Sequence, residues 1–576
     1  MNGPEAIILN DSQPDSVTRT VRLTEFFGVP SRSVRIGDFW NSAAKQARVF
    51  GTAEAFCELL GELGRDPERL RQWTEQVHSV FIHAGADTAH LKSLVATLGG
   101  LRIGNGATRE FGITSQWDPF CGIMAGVKCT LNQPFEGPIL NTEEIKSLTL
   151  ITCPEGSIFV KTMVHGVPVF ITTAKELIDL SARLTKQNFD VRDHWLAAVP
   201  VVMYLKWAFA GYCWAAPEIN ACLVIDDPLL RPDYGYVNYE SFLAWMKQHR
   251  FSTNIAFIPW NYARSHSSVV RLFREHPDKF SLSVHGCDHT GSEFGHQEKD
   301  WLAGRSREAL TRMEQHAART KIAHERVMVF PQGVFSAPAP GVLKQSGYLA
   351  VVNSDVLTTD PVPLPVTIGS YWDAAVMDYD CFPIYTRRYP TEGTANFAFD
   401  ILLGKPCIML IHHEYCWDGG KALLAAIDEL NALYGRLNWC NLGEVVRRGF
   451  RQRNLPDGRV AVEMYGSEVQ LKNATSQKLK YVIHKRENAP ALIQEIRVGK
   501  AVATWQTEAG RVIFEVELGP GESCLAEIRF RSYDLSRQEA ENWLSQGKIR
   551  LRRYLCEVRD NYVTKWRFAL RPPVAK

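Results

Sequence analysis

Ala221-Cys222-Leu223-Val224-Ile225-Asp226-Asp227-Pro228 is a short apolar run that ends in two carboxylates and a turn-forming proline. An uninterrupted apolar run of this length suits a strand buried on both faces. Further strands are expected at 254–258, 280–284, 327–330, 349–352 and 407–411, separated by helical stretches such as 267–275 and 304–319. Strands that alternate with helices imply a parallel sheet. The chemically interesting residues follow directly after the strands: Asp226-Asp227, then His285-Gly286-Cys287-Asp288-His289, Pro331-Gln332-Gly333 and His412-His413-Glu414. In α/β barrels the loops at the carboxyl ends of the strands converge on the active site. The block 196–450 is therefore expected to be a barrel with its chemistry at one end.

The blocks on either side differ. Residues 1–195 alternate a strand at 5–10, helices at 16–27 and 43–63, and strands at 33–36 and 79–83, as in an open, mostly parallel sheet; antiparallel strands are expected at 147–152, 157–164 and 168–172. No glycine-rich nucleotide loop follows any of these strands, so this block has no assigned role. In 451–576, Val512, Phe514, Val516 and Leu518 alternate with other residues. Further strands at 460–465, 480–484 and 523–530 make a small β-sandwich-like domain, followed by C-terminal helices, the first from about Ser536. Leu551, Leu555 and Val558 form an apolar stripe expected to pack on a core.

At 576 residues the chain is too long for one ordinary core. A net charge of +2 without a basic run argues against a nucleic-acid partner held by counterion release. The 13 cysteines are odd in number, scattered, and form no C-x-x-C pair, as expected of reduced thiols in a cytoplasmic protein. The first residues lack a secretory pattern. The stretch 195–216 is apolar for about one membrane thickness, but Pro200 and Lys206 interrupt it, and a buried helix is expected instead of membrane contact. The oligomeric state stays open.

His285 and His289, joined by a carboxylate from an earlier strand end, supply an N/N/O set for a divalent metal, zinc or another first-row ion. Three protein ligands leave positions open, as a hydrolytic site requires. Each element also has a plainer reading. Asp226-Asp227 is also compatible with an acidic loop, Pro331-Gln332-Gly333 with an ordinary turn, and His412 or His413 with a buried structural histidine. Asp288 suits either a group that orients a ligating ring or a solvated loop acid. In the functional reading, the N–H groups of Gln332 or Gly333 stabilise an oxyanion, and His412, in preference to His413, protonates a leaving amine.

Taken in order, these residues resemble the polysaccharide deacetylase family (the NodB-homology domain, or carbohydrate esterase family 4). Ile225-Asp226-Asp227 looks like its first motif, His285 to His289 its second, Pro331-Gln332-Gly333 its third and Leu410-Ile411-His412 its last. The resemblance covers about 230 residues. It implies a distorted (β/α) barrel, often seven-stranded, that removes acetyl groups from carbohydrates with a divalent metal. It also implies that Asp226 is the catalytic base and that Asp227, with His285 and His289, holds the metal. Three positions depart from the pattern. Val329 stands where the family has an arginine and Gln332 where it has an aromatic, and only Trp372-Asp373 and Asp378-Tyr379-Asp380 are candidates for the fourth motif. The reading is a metal-dependent deacetylase of an N-acetylated saccharide or sugar-containing metabolite. A C–N hydrolase on a non-sugar amide and a non-catalytic carbohydrate-binding module are the alternatives.

Overall fold

The computed structural model describes residues 3–42, 46–64, 66–142, 148–433, 435–534 and 543–566. Its centre is a nearly closed parallel sheet of seven strands. Their order is Ile384–Thr386, Ala350–Asn353, Val327–Val329, Phe280–His285, Thr253–Phe257, Asn220–Asp226 and Cys407–Ile411. The six strands expected from the sequence account for six of these. The seventh, Ile384–Thr386, is three residues long and carries no run that announces it. It brings the two edges together: Arg388 N–H donates to Ile408 O at 3.0 Å, and Leu410 N–H to Arg388 O at 2.8 Å.

Alternation along these strands sorts their side chains between two cores. Cys222, Val224, Ala256, Val327, Val329, Val352, Tyr385 and Ile408 fill the inside, where Leu442 and Val445 join them. Leu223, Ile225, Ile255, Leu282, Val284 and Met409 point outward beneath the helices. Polar residues inside are paired: Asn254 Nδ2 donates to Ser283 Oγ at 2.7 Å, and Ser281 Oγ to Asn254 Oδ1 at 3.0 Å. Carried on in steps of two, the inward parity reaches Asp226, His285, Arg387 and His412. Strand period alone thus delivers these four groups to the carboxyl end of the barrel.

Before the barrel lies a nine-stranded sheet in which Ser31–Arg35, Ala6–Asn10, Ala47–Thr52, Val77–His83 and Val167–Thr172 run parallel, followed by antiparallel strands. The helix expected over 43–63 is in its described part a strand, Ala47–Thr52, then a helix, Ala53–Leu63. Val49 and Phe50 favour the extended form, and the Thr52 side chain caps the helix by accepting from Ala55 N–H. The apolar stretch after 195 forms the helix Trp195–Ala208, which packs on this sheet: Tyr204 shares a 2.8 Å hydrogen bond with Ser79 and lies against Phe81 and Phe170. Lys206 donates to Trp214 O at 2.6 Å. Among the described residues, no helix is long and apolar enough to cross a membrane.

After the barrel, sheets of five and four strands share a core that includes Val462, Ile483, Phe514, Ile496 and Ile528. The alternating Val512, Phe514, Val516 and Leu518 are all buried. A helix start near Ser536 lies outside the described residues. The helix Trp543–Val558 is present, but Leu551, Leu555 and Val558 on it are exposed instead of packed on a core. All 13 cysteines are free thiols.

Candidate active site

Asp226 is the last residue of its strand, and its carboxylate is buried. Both of its oxygens accept from one guanidinium, Arg387 Nη1 at 2.7 Å and Nη2 at 2.8 Å. Burial alone would raise the pKa of this carboxyl. Arg387, His285 and His412 outweigh burial and hold it below its ordinary value. Arg387 follows the strand Ile384–Thr386, so the cation missing at Val329 reaches the site from a different strand end. Val329 has another role: its carbonyl accepts from His285 Nδ1 at 3.0 Å, which leaves Nε2 facing the cavity.

Asp227 adopts a left-handed backbone conformation, φ 81°. A non-glycine residue there costs about 1–3 kcal/mol, and the turn swings its carboxylate away from its neighbour's. Asp227 Oδ1 lies 3.3 Å from His285 Nε2 and 3.1 Å from His289 Nε2. These are the residues whose donor atoms, among those described, converge as a metal would require, all within 4.8 Å of one another. Burial again opposes the charge, but His289 and His285 hold the Asp227 carboxyl well below the usual range. Asp227 Oδ1 is also buried without a hydrogen-bond partner. Such an atom is costly unless something cationic meets it, so two imidazole nitrogens and this oxygen fit a divalent ion.

The loop carrying the histidines is organised by Glu293, which the sequence reading missed. Its buried carboxylate accepts from the N–H groups of Cys287 at 2.8 Å, Asp288 at 3.1 Å and His289 at 3.1 Å. Gly286 makes this possible, because at φ 62° a Cβ would lie 2.0 Å from Glu293 Oε1 and 2.4 Å from Pro331 Cγ. Asp288 matches neither role expected of it. It is buried between Arg305, at 3.0 Å, and Arg312, both on the helix Lys299–Thr320, so it anchors the loop from behind.

Gln332 and Gly333 form the expected tight turn with φ of 60° and 72°. The Gly333 N–H closes that turn by donating to Phe330 O at 3.1 Å. That hydrogen bond engages the Gly333 N–H within the turn itself. Gly333 is needed for space, since a Cβ would lie 2.6 Å from Asp355 Oδ2. The two histidines after Ile411 part company. His412 lines the cavity, its ring roughly parallel to that of Tyr389. His413 turns away and is buried 3.7 Å from Asp560.

These residues surround a cavity of about 280 Å³, which Asn188, Ser354, Asp355, Tyr389 and Glu392 complete. Burial raises the pKa of Asp355, with Arg387 opposing. The fourth-motif candidates lie elsewhere. Asp373 is buried against Arg451 at 2.7 Å and Arg486 at 3.0 Å, and Asp378 accepts from Ser370.

No family model and no curated protein matches the chain. Among solved structures, it is similar to Agd3, described as a novel carbohydrate deacetylase, with 9% identity over 92% of this chain and 98% of that one and a TM-score of 0.50. It is also similar to a family 4 carbohydrate esterase from Streptomyces lividans in complex with acetate, at 15% identity over 38% of this chain and 90% of that one, TM-score 0.24. The peptidoglycan N-acetylglucosamine deacetylase Bc1960 matches at 14% identity over 40% of this chain and 89% of that one, TM-score 0.24. The chain has the fold of a carbohydrate deacetylase, in a divergent form, which agrees with the resemblance of its motifs.

Proposed function

We propose that the protein is a metal-dependent deacetylase of an N-acetylated saccharide or sugar-containing metabolite. The observation that carries this reading is the meeting of Asp227, His285 and His289 around an unpartnered carboxylate oxygen, beside a second carboxylate clamped by Arg387. A divalent ion held by those three residues would polarise an acyl carbonyl and acidify water. Asp226, kept ionised by Arg387, takes a proton from the water that attacks the carbonyl carbon. The Gln332 N–H donates to the oxygen that gains the charge. As the C–N bond breaks, His412 gives a proton to the departing nitrogen, and the products are acetate and a free amine. Tyr389, Asp355 and Asn188 face the rest of the substrate.

The absence of an arginine at position 329 is an objection to sugar deacetylation and motivates the reading as a C–N hydrolase on a non-sugar amide. Arg387 removes the force of that objection, because the base is clamped all the same. The test is metal content and acetate release, measured on the wild type, H285A/H289A and D226A with N-acetylated oligosaccharides. The expected result is about one equivalent of metal in the wild type and in D226A, none in the double variant, and turnover in the wild type alone. Full activity in D226A would remove Asp226 as the base; metal binding without turnover of any acyl substrate would return the protein to a binding role.

A further inference from the structure

The helix Trp543–Val558 and the π turn Arg559–Val563 that follows it carry their polarity the wrong way round for a surface helix. Their inner side is charged. Glu557 pairs with Arg264, with Nη2 to Oε2 at 2.9 Å. Tyr234 OH donates to Asp560 Oδ2 at 2.7 Å, and Gly235 N–H to Asn561 Oδ1 at 2.9 Å. The outer side is apolar: Leu551, Leu555, Val558, Tyr562 and Trp566 are 62, 59, 50, 72 and 68% exposed. Half of the exposed large hydrophobic side chains among the described residues fall within 551–566. That concentration needs a cover.

The charges beside this face indicate its nature. Lys548 and Arg550 are exposed and Arg552 half-exposed, and exposed Arg559 pairs through Nε with Asp560 at 2.7 Å, whereas the two acids of the segment, Glu557 and Asp560, are engaged on the inner side. A second copy docked by two-fold symmetry would set this face against itself and bring cations against cations. An anionic lipid surface accepts both features: the aliphatic and aromatic side chains enter the headgroup boundary, and the long cationic side chains reach the phosphates.

We propose that this segment is an interfacial anchor that seats the protein on anionic membranes. The anchor lies beside the mouth of the barrel. Asp560, on its inner side, is 3.7 Å from His413, the residue next to His412. The same contact would therefore hold the cavity close to the lipid surface.

The test is vesicle flotation of the full chain. The comparison is phosphatidylglycerol/phosphatidylcholine against phosphatidylcholine alone, for wild type, L551S/L555S/Y562S and K548E/R550E/R552E, with oligomeric state measured in parallel. Wild type is expected to float with the anionic vesicles, about tenfold or more above neutral ones, and to be released by salt. Each cation reversed should weaken partitioning by about fivefold or more, and the serine variant should stay in solution with an unchanged melting temperature, since its side chains are exposed. A wild type that ignores anionic vesicles, or variants that bind as well as wild type, would overturn the proposal. Dimers that the serine variant converts to monomers, without vesicle binding, would also overturn it and assign the face to a second copy.

Discussion

Replacing Arg387 with methionine tests the least expected part of the site. The guanidinium donates twice to a carboxylate that is itself only 4% exposed. Removing one member of such a pair leaves an uncompensated buried charge, at a cost of about 3–5 kcal/mol. Part of that cost appears as a change in ionisation. Burial raises the Asp226 pKa and Arg387 is the strongest force lowering it, so without the arginine the carboxyl protonates at higher pH. A protonated Asp226 cannot take a proton from water. The acid limb of the kcat/KM profile should therefore move to higher pH, and neutral-pH turnover should fall by up to the worth of a general base, about 10²–10⁴-fold. R387K keeps the charge but not the paired donors, and should fall between the two. The assay is acetate release from an N-acetylated oligosaccharide across pH, with metal content measured on the same samples. Metal should stay bound in R387M, because Arg387 does not touch Asp227, His285 or His289 in any hydrogen bond described. An R387M profile that overlays the wild type would refute both the clamp and the assignment of Asp226 as base.

Removal of the Glu293 carboxylate in E293A strands three buried N–H groups and should lower metal affinity by about 10–100-fold, read by competition with a chromophoric chelator. Gly286→Ala should destabilise by about 3 kcal/mol or more, seen as a lower denaturation midpoint, because the added Cβ meets Glu293 and Pro331 at a positive φ. Burial lowers the pKa of His83 and of His316 from 6.5 to about 4, so the unfolded chain takes up these protons first as pH falls. Stability from each is complete above pH 6.5 and lost towards pH 4, by at most about 3 kcal/mol. H83Q should flatten the fall in urea midpoint over that range, and an unchanged slope would contradict a buried neutral imidazole.

Much of the barrel is legible in the sequence because most of its strands are largely apolar and several end at a polar cluster. The candidate metal-ligand set is legible for a related reason: His285 and His289 share one loop, and Asp227 directly follows the clearest strand. What the sequence hides depends on distant closure. Arg387 stands 161 positions from Asp226 and follows a strand of three residues. Glu293 sits in a loop with no periodicity, and Asp288 looks solvated until the helix Lys299–Thr320 supplies two arginines behind it. Alanines and apolar residues around Ala47–Thr52 suggest helix; pairing with Ala6–Asn10 and Val77–His83 decides otherwise. The Leu551 stripe has helical period, and period alone does not say which side of a helix faces the protein.

The position of Arg387 also bears on how motifs should be read in a closed sheet. In a barrel every strand delivers its inward residue at the carboxyl end to the same small volume, so a side chain needed at one point can come from several strands. Here Val329 serves the site through its carbonyl, which holds His285, while the guanidinium comes from beyond Thr386. That route depends on the seam: Arg388 bonds through its backbone to Ile408 and Leu410, and its side chain is anchored outward to Asp400 at 2.6 Å. The outward residue at 388 fixes the inward direction of 387, as strand alternation requires. His412 leaves the strand between the arginine and Asp226, so one seam places Arg387 and His412 together. A missing motif residue in such a fold therefore signals loss of function only after the neighbouring strand ends have been checked for a substitute.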